Sequence, residues 1–258
     1  MSLFSAQNLT KSFGGVAAVR GVSLSVDAGE MVALIGPNGA GKSSCFAMLG
    51  GQIAPDRGAI GLDGQPLSGS PLDFARAGVA RSFQIAKIFA SMSVRENVQT
   101  ALLAAHRRLW RFWRAADTQA MAEADTLLAR VGLSTLAEQD AATLAYGDTK
   151  RLELAIALAA RPRVLLLDEP TAGMARPERR AAMQLIASLA ADGIAVLFTE
   201  HDMDAVFGFA SRILVMDRGR LVAEGSPAEI AADPVVQAVY LGTPDGSQPR
   251  AAGLSAGA

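Results

Sequence analysis

The period of hydrophobic and polar positions changes along the chain. Residues 3–9 and 16–26 alternate between apolar and polar, which predicts antiparallel strands with one wet face. After the turn Ala28-Gly29-Glu30 comes MVALI (31–35), short, wholly apolar and closed by a glycine. VLLLD (164–168) and IAVLFT (194–199) have the same character. A strand without a polar face is covered on both sides, so these runs predict a buried parallel sheet. Helical patterns adjoin them, and the alternation predicts an α/β fold. ILVMDRGRLVAEG (213–225) reads as a hairpin that turns at Asp217–Gly219. Between 92 and 160 no strand pattern occurs: Met121, Ala124, Leu128 and Val131, then Leu152, Ile156 and Ala159, fall at helical spacing. The expectation is one unit over 1–242, with an α/β core and an antiparallel β subdomain (1–91 and 161–242) and an inserted α-helical subdomain (92–160). The ending TPDGSQPRAAGLSAGA (243–258) has the Gly, Ser, Pro and Ala bias of a disordered tail.

Composition narrows the classes. The 258 residues suffice for one large core. Lys and Arg number 24 against 25 Asp and Glu, a net charge of -1, which argues against a nucleic-acid partner held by overall charge. The single cysteine, Cys45, excludes an internal disulfide and fits a reducing compartment. MSLFSAQNLTK has neither a basic n-region nor an apolar h-region, and no apolar run reaches the ~18 residues of a membrane span. A cytoplasmic chain without a secretory signal is expected.

Three strand ends carry candidate chemistry. GPNGAGKS (36–43) follows the buried strand and opens a helix, so the G-x-x-x-x-G-K-[ST] pattern stands in its required context. Glycines let the backbone close around phosphate, Lys42 balances the outer phosphate charge, and Ser43 can ligate Mg²⁺. The candidate phosphate-binding residues are Gly36, Pro37, Asn38, Gly39, Ala40, Gly41, Lys42, Ser43 and Ser44. Cys45 behind them reads as helix packing. VLLLDEP (164–170) ends in two carboxylates: Asp168 suits Mg²⁺ coordination through water, and Glu169 suits orienting or deprotonating an attacking water. A pair that merely caps the next helix is the competing reading. His201 closes IAVLFTEH at a third strand end, where ligands gather in parallel sheets, and is a candidate contact to the terminal phosphate. Gln84 in RSFQ (81–84) precedes the helical stretch and is placed to link a nucleotide to it.

TLAYGDTKRLELA (143–155) is a helix start with two readings. Asp148 or Thr149 is an N-cap, or the free N–H groups of the helix end face an anion. Ala145 stands where a capping Ser or Thr would be expected.

The ordered set GPNGAGKS, Gln84, LAYGD, LLLDEP and His201 resembles the ATP-binding subunit of ABC transporters, over about residues 1–242. The resemblance implies a P-loop NTPase core of the ABC type that binds ATP and Mg²⁺. It implies that Phe13 in LTKSFGG stacks on adenine, that Gln84 is the Q-loop residue and that His201 is the switch histidine. Catalysis would then fall to Lys42, Gln84, Glu169 and His201, and the metal to Ser43, Gln84 and Asp168. Leu144–Asp148 matches the signature LSGGQ, so Ala145, Tyr146, Gly147 and Asp148 would close over the ATP of a second ATPase subunit, identical or different. Other implied partners are integral membrane permease subunits and, indirectly, a periplasmic solute-binding protein, with no nucleic acid. The place implied is the cytoplasmic face of the inner membrane.

LAYGDTKRLELA, DEPTAGMARPE and GSPAEIAADPVVQAVYLG are similar to the branched-chain amino acid uptake group. They imply import of hydrophobic amino acids, with urea, short amides or aromatic acids as related solutes. A cytosolic ABC ATPase that assembles or remodels something is the rival of another class. Two positions depart from the pattern: Ala145 replaces the signature serine, and Ala175 stands where Asp or Asn is usual. The negative charge of Asp148 would be offset by Lys150 or Arg151. HRRLWRFWR (106–114) reads first as a solvated charged face with packed aromatics or as a contact with a membrane subunit or anionic headgroups, and third as a nucleic-acid contact, which nothing else in the chain supports.

Overall fold

The computed structural model describes residues 2–82, 88–105 and 115–241. Gln84, the stretch 106–114 and the tail 243–258 lie outside the described residues. Along the chain, β1 (Phe4–Phe13) and β2 (Val16–Val26) precede β3 (Met31–Ile35) and α1 (Lys42–Leu49). Next come β4 (Arg57–Leu62), β5 (Gln65–Leu67), α2 (Pro71–Ala77) and β6 (Val79–Ser82). Three helices follow, α3 (Val94–Ala105), α4 (Ala115–Val131) and α5 (Tyr146–Leu158). The chain returns through β7 (Val164–Asp168), α6 (Arg176–Ala191), β8 (Ala195–Thr199) and α7 (Met203–Phe209). It continues through the β9 (Arg212–Asp217) and β10 (Arg220–Gly225) hairpin, then α8 (Pro227–Ala232) and α9 (Pro234–Leu241).

Two sheets form. An antiparallel sheet has the order β2-β1-β4-β5, and a six-stranded sheet has the order β10-β9-β3-β8-β7-β6. Strands β9, β3, β8, β7 and β6 are mutually parallel, and β10 is an antiparallel edge. The wholly apolar strands are explained by what lies on each face. Met31, Ala33, Ile35, Leu165 and Leu167 join a core that includes α3, α4, α5 and α6. Val32, Leu34, Val164 and Leu166 join a second core with α1 and the antiparallel sheet. Each fully buried Leu or Val contributes about 1.5–3 kcal/mol, so a strand that serves both cores tolerates no polar position. Beyond the alternation expected for residues 3–9, β1 continues to Phe13.

The helical stretch shows one shift of phase. The buried stripe of α4 is Ala120, Ala124, Leu128 and Val131, whereas Met121 is exposed. Spacing alone accepted Met121 because it is apolar; packing buries the smaller Ala120 instead. No helix of the described residues is long and apolar enough to cross a membrane.

Candidate active site

The loop after β3 is built by close backbone approach. A Cβ on Gly36 would lie 2.1 Å from the Met216 carbonyl oxygen, and one on Gly41 would lie 2.3 Å from that of Ala18. Both residues have positive φ, 153° and 99°, which glycine alone adopts freely. The Gly219 N–H donates to Ala40 O at 2.8 Å, so the β9–β10 turn holds the loop from behind. Gly41 is the N-cap of α1 and offers no side-chain acceptor. The first intrahelical bond is Cys45 N–H to Gly41 O, which leaves the N–H groups of Lys42, Ser43 and Ser44 free for an anion. Asn38, Gly39 and Ser43 are exposed, while Ala40 and Lys42 are buried. Lys42 Nζ donates to the carbonyls of Gly36 at 2.6 Å and Pro37 at 3.1 Å. Burial lowers the Lys42 ammonium from its ordinary value, and the charges of Glu169 and Asp168 oppose that shift. Cys45 is fully buried and its thiol is pushed up to about 12 by burial. That is the packing role expected of it.

The ends of β7 and β8 meet beside this loop. Glu169 Oε1 lies 2.8 Å from His201 Nε2. Glu169 has φ of 50°, a left-handed backbone that costs a non-glycine residue about 1 kcal/mol. Its N–H is held by Thr199, at 3.1 Å from the carbonyl and 3.0 Å from Oγ1. The Thr199 hydroxyl in turn donates to Asp168 Oδ1 at 2.7 Å. Asp168 Oδ2 accepts from Arg81 Nη2 at 3.0 Å. Carboxylate, histidine and lysine from three separate strand ends thus stand together, an arrangement suited to phosphoryl transfer to water.

Comparison with known proteins decides the family. Residues 19–172 match the family model described as ABC transporter. The chain belongs to the ABC transporter family. Residues 220–246 also match a model described as branched-chain amino acid ATP-binding cassette transporter. The chain is 40% identical over 246 residues to the high-affinity branched-chain amino acid transport ATP-binding protein BraF of Pseudomonas aeruginosa, covering 91% of this chain and 95% of that protein. It is 40% identical over 252 residues to LivG of Escherichia coli, a protein of the same description, covering 93% and 98%. Among solved structures, the ADP conformation of MJ1267, an ATP-binding cassette of an ABC transporter, aligns with a TM-score of 0.83 at 28% identity, covering 94% of this chain and all of that one. The fold of this ABC cassette is therefore mixed α/β with an antiparallel sheet and a block of helices.

The other candidate residues are spread over the cassette. Phe13 sits at the tip of the β1–β2 hairpin, 47% exposed, with Lys11 Nζ 5.8 Å from its ring centroid. Gln84 lies outside the described residues. The N-cap of α5 is Ala145, with no side-chain cap, and not Asp148 or Thr149. The helix starts earlier than a polar cap would place it because Thr149 N–H already bonds to Ala145 O, at 2.9 Å. Asp148 is 3.6 Å from Arg151. Lys150 turns instead to Glu153, at 2.9 Å, and over the Tyr146 ring. Tyr146 is 52% exposed, and its ring lies beside Gly173. Among the described residues, no hydrogen bond or ion pair joins Ala145–Asp148 to Gly36–Ser44. At Ala175, the N-cap of α6, Glu178 accepts the backbone N–H at 3.4 Å, but the methyl side chain offers nothing in return.

Three groups escaped the reading of the sequence. Arg81 is largely buried, paired with Asp168 and set over the Phe46 ring. Glu200 is buried behind His201. Tyr240 on α9 comes near the loop backbone at Gly36: although 40% exposed, its partial burial pushes the phenol up to about 12. A charged residue directly after an apolar strand was the available signal for Glu200, whereas the strand that holds Arg81 has no pattern that would have singled it out. Nothing local signalled Tyr240.

Proposed function

We propose that this cassette is the ATP-hydrolysing subunit of an importer for branched-chain and other hydrophobic amino acids, working on separate membrane subunits. The observation that carries the reading is the Glu169–His201 contact of 2.8 Å beside the glycine loop, in a chain related over nearly its whole length to ATP-binding proteins of that transport. The unit at work is taken as residues 1–242, with 92–160 as its helical part.

In this reading the free N–H groups at the start of α1 and the Lys42 ammonium hold the phosphates. The donor set fits a magnesium ion that comes with its nucleotide. Ser43 is exposed at the helix start, and each Asp168 oxygen keeps a lone pair beyond the bonds to Thr199 and Arg81. Among the described residues no cluster of three or more His, Cys, Asp or Glu could hold a metal by itself, which suits an ion held chiefly by phosphate oxygens. Bound there, Mg²⁺ would neutralise phosphate charge. Glu169 uses one oxygen for His201 and has the other for the proton of a water. His201 keeps that carboxylate turned to the site. Phe13, exposed at a hairpin tip, is available to an adenine ring. In this reading the donors of the α5 N-terminus, which among the described residues make no bond to the loop of their own chain, serve the nucleotide of a second cassette, with ATP between the two.

The test is uptake of radiolabelled leucine in a strain deleted for the gene and complemented with wild type or Glu169→Gln. Uptake restored by wild type and lost in the variant, with ATP turnover falling in parallel, is the expected result. Full turnover by the Glu169→Gln complex would overturn the site assignment. Restored uptake of urea, an amide or an aromatic acid, with none of leucine, would replace the solute. Co-purification with soluble partners alone would replace transport by assembly or remodelling.

A further inference from the structure

Glu200 holds a buried carboxylate at the junction of the two loops that carry Glu169 and His201. Its exposure is 5%. Oε1 accepts from Thr171 N–H at 2.9 Å and from Thr171 Oγ1–H at 2.6 Å. Oε2 accepts from His201 N–H at 3.2 Å. Thr171, two residues beyond Glu169, is itself fully buried.

The pairing of the neighbouring carboxylates sets Glu200 apart. Asp168 is paired with Arg81, and Asp202 with Arg179. Among the described residues Glu200 has no cationic partner, and its bonds come only from neutral donors. An ionised carboxylate buried without a counter-ion is expensive, and a neutral side chain would join two loops at lower cost. A carboxylate has one property that its amide lacks: both ends accept and neither donates. The groups that face Glu200 from both loops are donors. Glutamine would turn an NH₂ group against one of them.

We propose that Glu200 is a positioning residue for ATP hydrolysis, clamping Thr171 on one loop and the His201 backbone on the other so that Glu169 and His201 stay in contact. The proposal rests on the ATPase reading of the site. The clamp closes a ring of bonds: Thr199 holds the Glu169 N–H, Glu200 holds Thr171 and His201, and the His201 ring meets Glu169. Such a ring opposes relaxation of Glu169 from its left-handed backbone. Beyond Thr171 the same loop runs to Gly173, where Tyr146 at the start of α5 packs.

The experiment is ATP turnover against ATP concentration for the full chain with its co-purified subunits, together with thermal midpoints. Glu200→Gln is expected to lower kcat about tenfold and Thr171→Val about threefold, with the KM for ATP within about twofold of wild type. A merely structural role would lower the thermal midpoint and leave the kcat of the folded fraction unchanged. A Glu200→Gln kcat within about twofold of wild type overturns the proposal, as does a rise in KM that accounts for the whole loss. If Glu200→Gln does not fold, Thr171→Val decides by the same criteria, since it removes one donor and keeps the shape. A wild-type complex without ATP turnover would overturn the ATPase reading as well, which separates the two failures.

Discussion

Gly36 illustrates how little freedom single positions have at this site. The atom that a side chain there would meet is a backbone oxygen of β9 at 2.1 Å, which cannot swing away as a side chain could. Gly36→Ala is therefore expected to destabilise the cassette by on the order of 3 kcal/mol and to abolish ATP binding, read by thermal melting and calorimetric titration. Ala145 is the opposite case. Its backbone, at φ −62° and ψ 154°, already has the extended shape of an N-cap, so Ala145→Ser supplies a missing acceptor without rearrangement. A gain of about 1 kcal/mol in stability is expected, read as a higher thermal midpoint, with only a modest change in ATP turnover. The glycine loop between strand and helix and the missing hydroxyl were both legible in the sequence, since they depend on residue type at fixed spacing. The left-handed Glu169 was not, because its conformation is imposed by Thr199 on another strand.

Among the elements, the edge strand β6 carries the most consequence for its length. VARS (79–82) has neither a continuous apolar run nor a clean alternation, so nothing in its pattern predicts a strand of the main sheet. It is one because it pairs in parallel with β7, from Val79 opposite Val164 to Ser82 opposite Leu167. That register puts Arg81 opposite Leu166, from where its side chain reaches Asp168 two residues on, with side-chain exposures of 12% and 7%. Removal of the cation would leave a buried carboxylate unpaired, so Arg81→Ala is expected to cost about 3–5 kcal/mol in denaturant unfolding. Arg81→Lys keeps the charge but loses the fork that also reaches Gln52, and is expected to fall between wild type and alanine. In the helices the apolar stripes were legible as stripes. Their phase was not, as Ala120 and Met121 show, because spacing fixes a face to within a residue and the neighbouring helix decides the rest.

At the scale of the whole molecule, Arg212 ties the sheets together. Its Nε and Nη2 donate to Glu30 Oε1 and Oε2 at 2.7 and 2.9 Å, and Nη2 also donates to Ser25 O at 2.7 Å. Glu224 on β10 completes the network. Burial raises the pKa of Glu30, but its hydrogen bonds with Arg212 and the Asp27 backbone and the Arg212 charge together bring it below the ordinary value. A carboxylate with a depressed folded pKa adds stability above its unfolded pKa, about 4.3, and loses it as the pH falls through the folded value. Arg212→Ala should therefore melt lower than wild type at pH 7, and the gap should close below about pH 4. Melting curves over that range provide the check. By itself, the sequence determined the secondary structure that rests on local spacing: apolar strands covered on two faces, helical stripes, and a glycine loop between a strand and a helix. It also determined which residue types were available for phosphate chemistry. The tertiary structure alone decided which of them meet. The contact of Glu169 with His201, the clamp of Glu200 on two loops, the Arg81–Asp168 pair and the return of Tyr240 to Gly36 all join segments far apart in the chain. Their geometry is set by strand register and burial, which no local pattern encodes.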